Sequence, residues 1–301
     1  PSGPARHLLS KQAETAHAAQ LLLRRGVHMS EKIWFITGSS RGFGRQFAEA
    51  ALQRGDKVAA TARNTKGLAD LAERFGDAVL PLQLDVTDRT QVFEAVAAAK
   101  ERFGRLDVVV NNAGYSLIGA MEDLGEQELR DQLETNVFGV FHVVQAVLPV
   151  LREQRSGHIV QISSAMGVAT FAGTGGYCAS KWALEGMSEA LSQEVAPFGI
   201  KVTIIEPGAF ATDFASSAVF TVHGQDAYGP LYASLAEMGA SSQAPGPEGV
   251  GGAILQIVDA EEPPLRVFFG EQPTQWIPAV YQQRLETWAQ WAHVSKAAEG
   301  K

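Results

Sequence analysis

Ile33-Trp34-Phe35-Ile36-Thr37-Gly38-Ser39-Ser40-Arg41-Gly42-Phe43-Gly44 decides the fold. A short apolar run, Ile33 to Thr37, enters a glycine-rich turn, and a helical stretch, Arg45 to Arg54, leaves it. Gly55 stands where a glycine ends a helix. Glycines let backbone come close to a pyrophosphate, and a helix N-terminus offers free N–H groups and the positive end of its dipole. The spacing is G-x-x-x-G-x-G, not the general G-x-G-x-x-G, and a purely structural strand–helix turn can look the same. Its place directly after a strand, at the head of an alternating domain, favours phosphate binding. Gly38, Ser40, Arg41, Gly42, Phe43 and Gly44 are therefore the candidate anion-binding residues.

Outward from this turn the chain alternates strand and helix. Strands are expected at Val58–Thr61, Val79–Leu84, Leu106–Val110, His158–Ile162, Val202–Ile205 and Arg266–Phe269. Helices are expected at Leu68–Phe75, Asp88–Phe103, Glu126–Arg152 and Tyr177–Val195, with Pro149 ending or kinking the third of them. The runs Val108-Val109-Val110 and Ile204-Ile205 are apolar without alternation, as strands buried on both faces require. The fold class is α/β: a doubly wound parallel sheet of about seven strands with helices on both faces. Residues 1–29 read as an N-terminal extension, with Met29 as the natural start. Arg6, Lys11, Arg24 and Arg25 against Glu14 also resemble a transit peptide, but Leu21-Leu22-Leu23 is too short for a signal-peptide core. One domain is expected over 30–272, with a flexible lid at about 210–245, a linker at Ser241–Gly249 and a helical tail over 273–301. In that tail the stripe Ile277, Val280, Tyr281, Leu285, Trp288 and Trp291 is helix-like, and Pro278 sets its start.

The 301 residues are 46% hydrophobic and 19% charged, an ordinary globular balance. A net charge of -8, without a dense basic run, argues against a nucleic-acid partner. One cysteine, Cys178, excludes an internal disulfide and points to a reducing, cytoplasmic setting. The seven histidines are scattered without metal-ligand spacing, so no metal is expected. No apolar run approaches the ~20 residues needed to span a bilayer, so no membrane partner is expected either.

The end of the second strand, Thr61-Ala62-Arg63-Asn64, bears on nucleotide choice. An NAD site places Asp or Glu there to accept from the ribose 2′-OH. This chain has none, and Arg63 and Arg41 could meet a 2′-phosphate with charge-assisted contacts. NADP(H) is the favoured cofactor, with NAD the lesser one.

Tyr177 and Lys181 are spaced i, i+4 and so share one helix face. A nearby ammonium stabilises phenolate and is expected to lower the tyrosine pKa from ~10 toward the working range. Ser164 ends the fifth strand, where ligands bind in doubly wound sheets, and its hydroxyl could bond a substrate oxygen as that oxygen gains charge. Asn136 is a poor helix former in an apolar helix, so it is either a satisfied core amide or a functional group.

These residues together resemble the short-chain dehydrogenase/reductase family. The likeness rests on Thr37-Gly38-x3-Gly42-x-Gly44, Asp85 after the third strand, and Asn111-Asn112-Ala113-Gly114 after the fourth. It continues through Asn136, Ser164, Tyr177-x3-Lys181, and Pro207-Gly208 with Thr212, over residues 32 to about 212. The resemblance implies a Rossmann-like domain, Tyr177 as general acid/base, and Lys181 binding the nicotinamide ribose. It implies that Ser164 holds the substrate oxygen and that Asn136 anchors a water in a proton relay. Asp85 would meet the adenine, and Asn112, with Ala113 and Gly114, would support the central strands and the adenosine ribose. Thr212, following Pro207 and Gly208, would contact the carboxamide or phosphates. A homodimer or homotetramer through the helices near 126–152 and 178–196 is implied as well. The expected activity is hydride transfer between NADP(H) and a carbonyl or secondary alcohol. Met121, Met166, Phe171, Phe210, Phe214, Phe220 and Tyr232, in segments bordering the substrate space, suggest a lipophilic one. A non-catalytic NADP sensor, or an epimerase or dehydratase on the same scaffold, is the alternative.

Overall fold

The computed structural model describes residues 31–221, 226–241 and 243–300. The expected N-terminal extension lies outside the described residues, as do 222–225 and 242 within the lid expectation. From Lys32 onward the chain forms one unit.

The described residues form nine strands: β1 (Ile33–Ile36), β2 (Lys57–Ala62), β3 (Val79–Gln83), β4 (Val108–Asn111), β5 (Leu117–Ile118), β6 (Gly157–Ile162), β7 (Ile200–Pro207), β8 (Val219–Phe220) and β9 (Arg266–Phe269). The α-helices are α1 (Gly42–Arg54), α2 (Ala69–Phe75), α3 (Arg89–Phe103), α4 (Glu126–Leu133), α5 (Gly139–Gln154), α6 (Gly175–Val195), α7 (Asp213–Ser216), α8 (Gly229–Ser241), α9 (Val250–Asp259), α10 (Gln272–Gln290) and α11 (Ala292–Ala298). Seven strands pair in parallel in the order β3-β2-β1-β4-β6-β7-β9, and β5 pairs with β8 separately. The chain winds outward from β1 to β3, then returns to lay β4 against β1, with Trp34 opposite Val58 on one side and Val108 on the other. That reversal opens a crevice at the carboxyl ends of β1 and β4.

Successive residues of a strand point to opposite faces. Trp34 and Ile36 enter a core with Phe47, Ala51 and Leu52 of α1 and Ile254, Ile257 and Val258 of α9. Ile33 and Phe35 enter a second core with Val92 and Val96 of α3 and Val143, Val147 and Leu151 of α5. Both faces of the sheet are thus covered, which explains strands without alternation.

Three expectations change. The long helix is interrupted by a π-turn, Glu134–Phe138, where the Gly139 N–H bonds back to the Glu134 carbonyl. It also runs through Pro149 to Gln154, because that proline sits on the exposed face of α5. Glu126–Gln154 is long enough to cross a bilayer, but in this fold its apolar side packs against the sheet. In the tail, α10 starts at Gln272, before Pro278, with Pro273 in its first turn, where a missing N–H costs nothing.

Candidate active site

The turn after β1 is held by its own backbone and by Asn112. Gly38 and Gly42 take φ values of 68° and 57°, the left-handed region glycine tolerates. A Cβ on Gly44 would come within 2.4 Å of the Gly38 carbonyl and 2.5 Å of Asn112 Nδ2, so only glycine lets α1 begin this close. Ser39, not Ser40, closes the turn internally: its hydroxyl donates to the Ile36 carbonyl at 2.9 Å and its N–H to Thr61 at 2.8 Å. Ser40 packs against Gly67. Arg41 occupies the N-cap of α1 without a side-chain cap bond, which leaves the helix start open to an anion. The Phe43 ring does not face that space. It stands edge-on to Phe210 at 5.0 Å and packs near Phe47 and Phe269. Phe43 thus ties the segment after β7 to α1, and only its backbone can serve a phosphate.

At the end of β2, Arg63 is exposed, as is Arg41. Among the described residues neither has an ion pair or side-chain hydrogen bond. After β3, one Asp85 oxygen accepts from the Thr87 N–H at 3.0 Å and hydroxyl at 2.7 Å. Asn112 Nδ2 donates to the Thr37 and Gly38 carbonyls at 2.9 and 3.0 Å. The Thr37 hydroxyl oxygen accepts the N–H groups of Asn112 and Ala113 at 2.9 and 3.0 Å. These bonds join the ends of β1 and β4 across the crevice. Beyond β7, the Gly208 N–H donates to Phe269 at 2.9 Å, and its missing side chain makes room for Pro273. The Thr212 hydroxyl accepts from the Phe214 N–H at 3.3 Å.

Four side chains converge beside this turn. Tyr177 and Lys181 rise from one face of α6, both buried, with the ammonium 5.8 Å from the phenol ring centroid. Lys181 Nζ donates to the Ile162 carbonyl at 2.7 Å, two residues before Ser164. The Ser164 oxygen accepts the Met166 N–H at 3.1 Å, and its hydroxyl lies within hydrogen-bonding reach of the Tyr177 phenol. Asn136 sits in the π-turn. It accepts from the Tyr115 N–H at 3.2 Å and donates to the Tyr115 carbonyl at 2.9 Å and the Ser180 hydroxyl at 3.0 Å. A Cβ on Gly114 would lie 2.9 Å from Asn136 Oδ1 and 3.9 Å from Lys181 Nζ, so Gly114 is the gap through which these groups meet.

The electrostatics differ from the sequence expectation in one respect. Burial pushes the Tyr177 phenol up to about 12, while the Ser164 hydroxyl pulls it the other way. The expected lowering by Lys181 is not found; the Ser164 hydroxyl is the group that opposes the burial. Burial brings Lys181 down to about 8, and the Glu185 carboxylate opposes that fall.

Sequence reasoning missed the groups that hold Asn136. Gln132, four residues earlier and fully buried, donates to the Tyr115 carbonyl at 2.7 Å, and Ser180 donates to the Tyr177 carbonyl at 2.7 Å. Two amides at i, i+4 in an apolar stripe were the available signal for Gln132. Beside the site a groove of about 490 Å³ is lined by Met121, Phe171, Cys178 and Trp182, among others. Phe214 stands 6.1 Å from the Tyr177 ring, whereas Phe210 is spent on Phe43.

A dinucleotide-type crevice with a tyrosine, lysine, serine and asparagine at its mouth defines a nucleotide-binding α/β protein equipped for acid–base chemistry. The chain belongs to the short-chain dehydrogenase/reductase family, an oxidoreductase family: residues 32–221 match the model described as short chain dehydrogenase. It is 45% identical to the oxidoreductase BOA17 of Botryotinia fuckeliana over 249 residues, covering 81% of this chain and 91% of that protein. It is 38% identical to a 3-ketodihydrosphingosine reductase of Bacteroides thetaiotaomicron over 246 residues, covering 80% and 89%. A solved short-chain dehydrogenase from Streptomyces avermitilis superposes with a TM-score of 0.84 at 41% identity, covering 90% of this chain and 100% of that one. Of the more distant structural neighbours, one holds 5-hydroxy-NADP and another NADH.

Proposed function

We propose that this oxidoreductase uses NADP(H) to interconvert a lipophilic ketone or aldehyde and its alcohol, with Tyr177 exchanging the proton. The observation that carries the reading is the convergence of Tyr177, Lys181, Ser164 and Asn136 beside an uncapped, glycine-rich helix start. Gly38, Gly42 and Gly44 leave backbone room for a pyrophosphate, and the α1 N-terminus favours its charge, so the chain's residues fit a dinucleotide. When bound, NADPH supplies the hydride for the carbonyl carbon. The Tyr177 hydroxyl donates its proton to the carbonyl oxygen. The Ser164 hydroxyl, beside the phenol, donates to the same oxygen and stabilises the charge developing there. Lys181 keeps two of its three donors for the ribose and for returning a proton to Tyr177, the third being committed to Ile162. The Asn136 amide is committed to Tyr115 and Ser180, so its part in a relay is to fix the π-turn beside Lys181.

NADP is favoured over NAD because β2 ends without a carboxylate and Arg41 and Arg63 have no partner among the described residues. The lipophilic class draws support from Phe214 against Tyr177 and from the groove that begins at Cys178. It also draws support from the sphingoid substrate in the name of the Bacteroides relative. A homodimer or homotetramer would cover Phe138 and Phe141, at the π-turn and on α5, and Trp182 and Met187 on α6, all partly exposed. The test is nicotinamide absorbance with NADPH and NADH against a carbonyl panel. NADPH consumption is expected with long-chain ketones or aldehydes, and Tyr177→Phe should still bind NADPH while losing roughly 10²–10⁴-fold in turnover. Undiminished turnover in that variant, or no consumption of either cofactor, defeats the reading.

A further inference from the structure

Behind Lys181 lies a buried cluster that the reaction as described does not use. Glu185 follows Lys181 by one helical turn on α6, as Lys181 follows Tyr177, so the three share a face. Glu185 is buried, and its Oε2 accepts from Arg266 Nε at 3.0 Å. The same guanidinium donates to Glu189 at the rim at 2.9 Å and lies 3.4 Å from Glu206, the penultimate residue of β7 and 2% exposed. Glu185 also reaches the turn that carries Ser164. A Cβ on Gly167 would fall 2.5 Å from the Ser163 hydroxyl and 3.0 Å from Glu185 Oε1, so only glycine lets that turn settle on the carboxylate.

We propose that Glu185 is a positioning residue: its buried carboxylate, clamped by Arg266, is the counter-charge that keeps Lys181 an ammonium beneath the cleft. This rests on Tyr177 and Lys181 being the acid–base pair. A buried cation must be paired or it neutralises. Tyr177 faces Lys181 from α6, the Ile162 carbonyl and Ser163 from β6, Asn136 from the π-turn, and Glu206 and Arg266 stand behind Glu185 on β7 and β9. Of these groups, Glu185 is the charge that opposes the burial of Lys181. The carboxylates of Glu185 and Glu189 share one guanidinium, and Lys181 brings a second positive charge to the cluster. Glu206 contributes by staying neutral. Burial and the Glu185 charge push it up to about 8; burial raises Glu185 as well, and the Ser163 hydroxyl, Arg266 and Lys181 oppose that rise.

The test compares Glu185→Gln, which keeps shape and loses charge, with Glu185→Asp, which keeps charge. In cofactor-free protein labelled with [13C]lysine, the Lys181 Cε resonance is followed against pH. The midpoint is expected to fall by about one unit or more in Glu185→Gln, a tenfold loss of ammonium, and to return most of the way in Glu185→Asp. The basic limb of the kcat/KM profile with NADPH should move down with it. If Glu185→Gln does not fold, the double variant Glu185→Gln/Arg266→Met removes both partners of the clamp, and the same fall is expected. An unchanged Lys181 midpoint in either folded variant overturns the proposal. The two readings fail separately: a midpoint that falls in a chain that reduces no carbonyl defeats the function alone. A fixed midpoint in an active reductase defeats the role of Glu185 alone.

Discussion

Arg41 and Arg63 are exposed guanidiniums with no partner among the described residues, whereas arginines such as Arg45, Arg54 and Arg266 are tied to carboxylates. An unpaired arginine on a surface is ordinarily solvated. At the mouth of a phosphate-binding turn, with no acid at the end of β2, it is available to a 2′-phosphate that only NADP carries. A charge-assisted hydrogen bond is worth about 1.5–3 kcal/mol. Arg63→Ala is therefore expected to weaken NADPH binding roughly 10- to 100-fold, with NADH affinity changed little, as measured by nicotinamide fluorescence titration. Equal losses for both cofactors would assign Arg63 to the shared half of the nucleotide and remove the basis for NADP preference. That Tyr177, Lys181, Ser164 and Asn136 lie together was legible in the sequence only from their joint spacing, since each alone has a plain structural reading. Their supports were not legible: Gln132, Ser180 and Glu185 reach Tyr115, Asn136 and Arg266, contacts that exist only once the sheet has closed.

Among elements, the segment after β7 shows what pattern alone conceals. It reads as an aperiodic, glycine-rich insert, yet β8 pairs with β5, and α8 is latched to the loop before α4. The Tyr232 hydroxyl accepts the Ala120 N–H at 3.0 Å and donates to the buried Asp123, and Tyr228 donates to Glu122 at 2.8 Å. With Phe214 against Tyr177, this segment is suited to act as a lid. Tyr232→Phe leaves the Asp123 carboxylate buried with one partner fewer, a cost of about 1–3 kcal/mol. The expected result is faster proteolysis within 210–245 and a KM for the carbonyl raised about tenfold, the equivalent of 1.4 kcal/mol, with kcat changed less. If kcat fell while KM held, the segment would be acting on the chemistry and not on closure. The helix α9 was missed outright for a related reason. Ser241–Gly249 reads as a linker and no helix is expected after it, but Gly251 is there because a Cβ would meet the Ala50 Cβ at 2.8 Å and the Gln46 carbonyl at 3.0 Å on α1. A glycine demanded by close helix packing cannot be told in sequence from one demanded by a turn. The central strands β1 and β4, by contrast, carry their signal locally, since burial on both faces writes a nearly unbroken apolar run.

For the whole molecule, two buried groups oppose each other in how folding responds to pH. Burial depresses His158 to about 3 from an ordinary 6.5, with its Nε2 bonded to the Thr203 hydroxyl at 2.9 Å. The unfolded chain then binds the extra proton, so stability is present above pH 6.5 and is lost as pH falls toward 3. Glu206 is raised to about 8 from an ordinary 4.5. The folded chain holds that proton, so stability is full below 4.5 and is lost as pH rises to 8. Between 4.5 and 6.5 the two slopes have opposite signs and offset each other. The thermal midpoint should therefore be flat across that window, fall on the acid side through His158 and fall from 6.5 to 8 through Glu206. Glu206→Gln removes the titrating proton and keeps the shape, so its midpoint should stay level from pH 6.5 to 8 while the acid decline persists. Scanning calorimetry in matched ionic strength decides the matter. A variant that declines from 6.5 to 8 as steeply as the native chain would mean that Glu206 is ionised in the fold, with Arg266 neutralising both carboxylates at once.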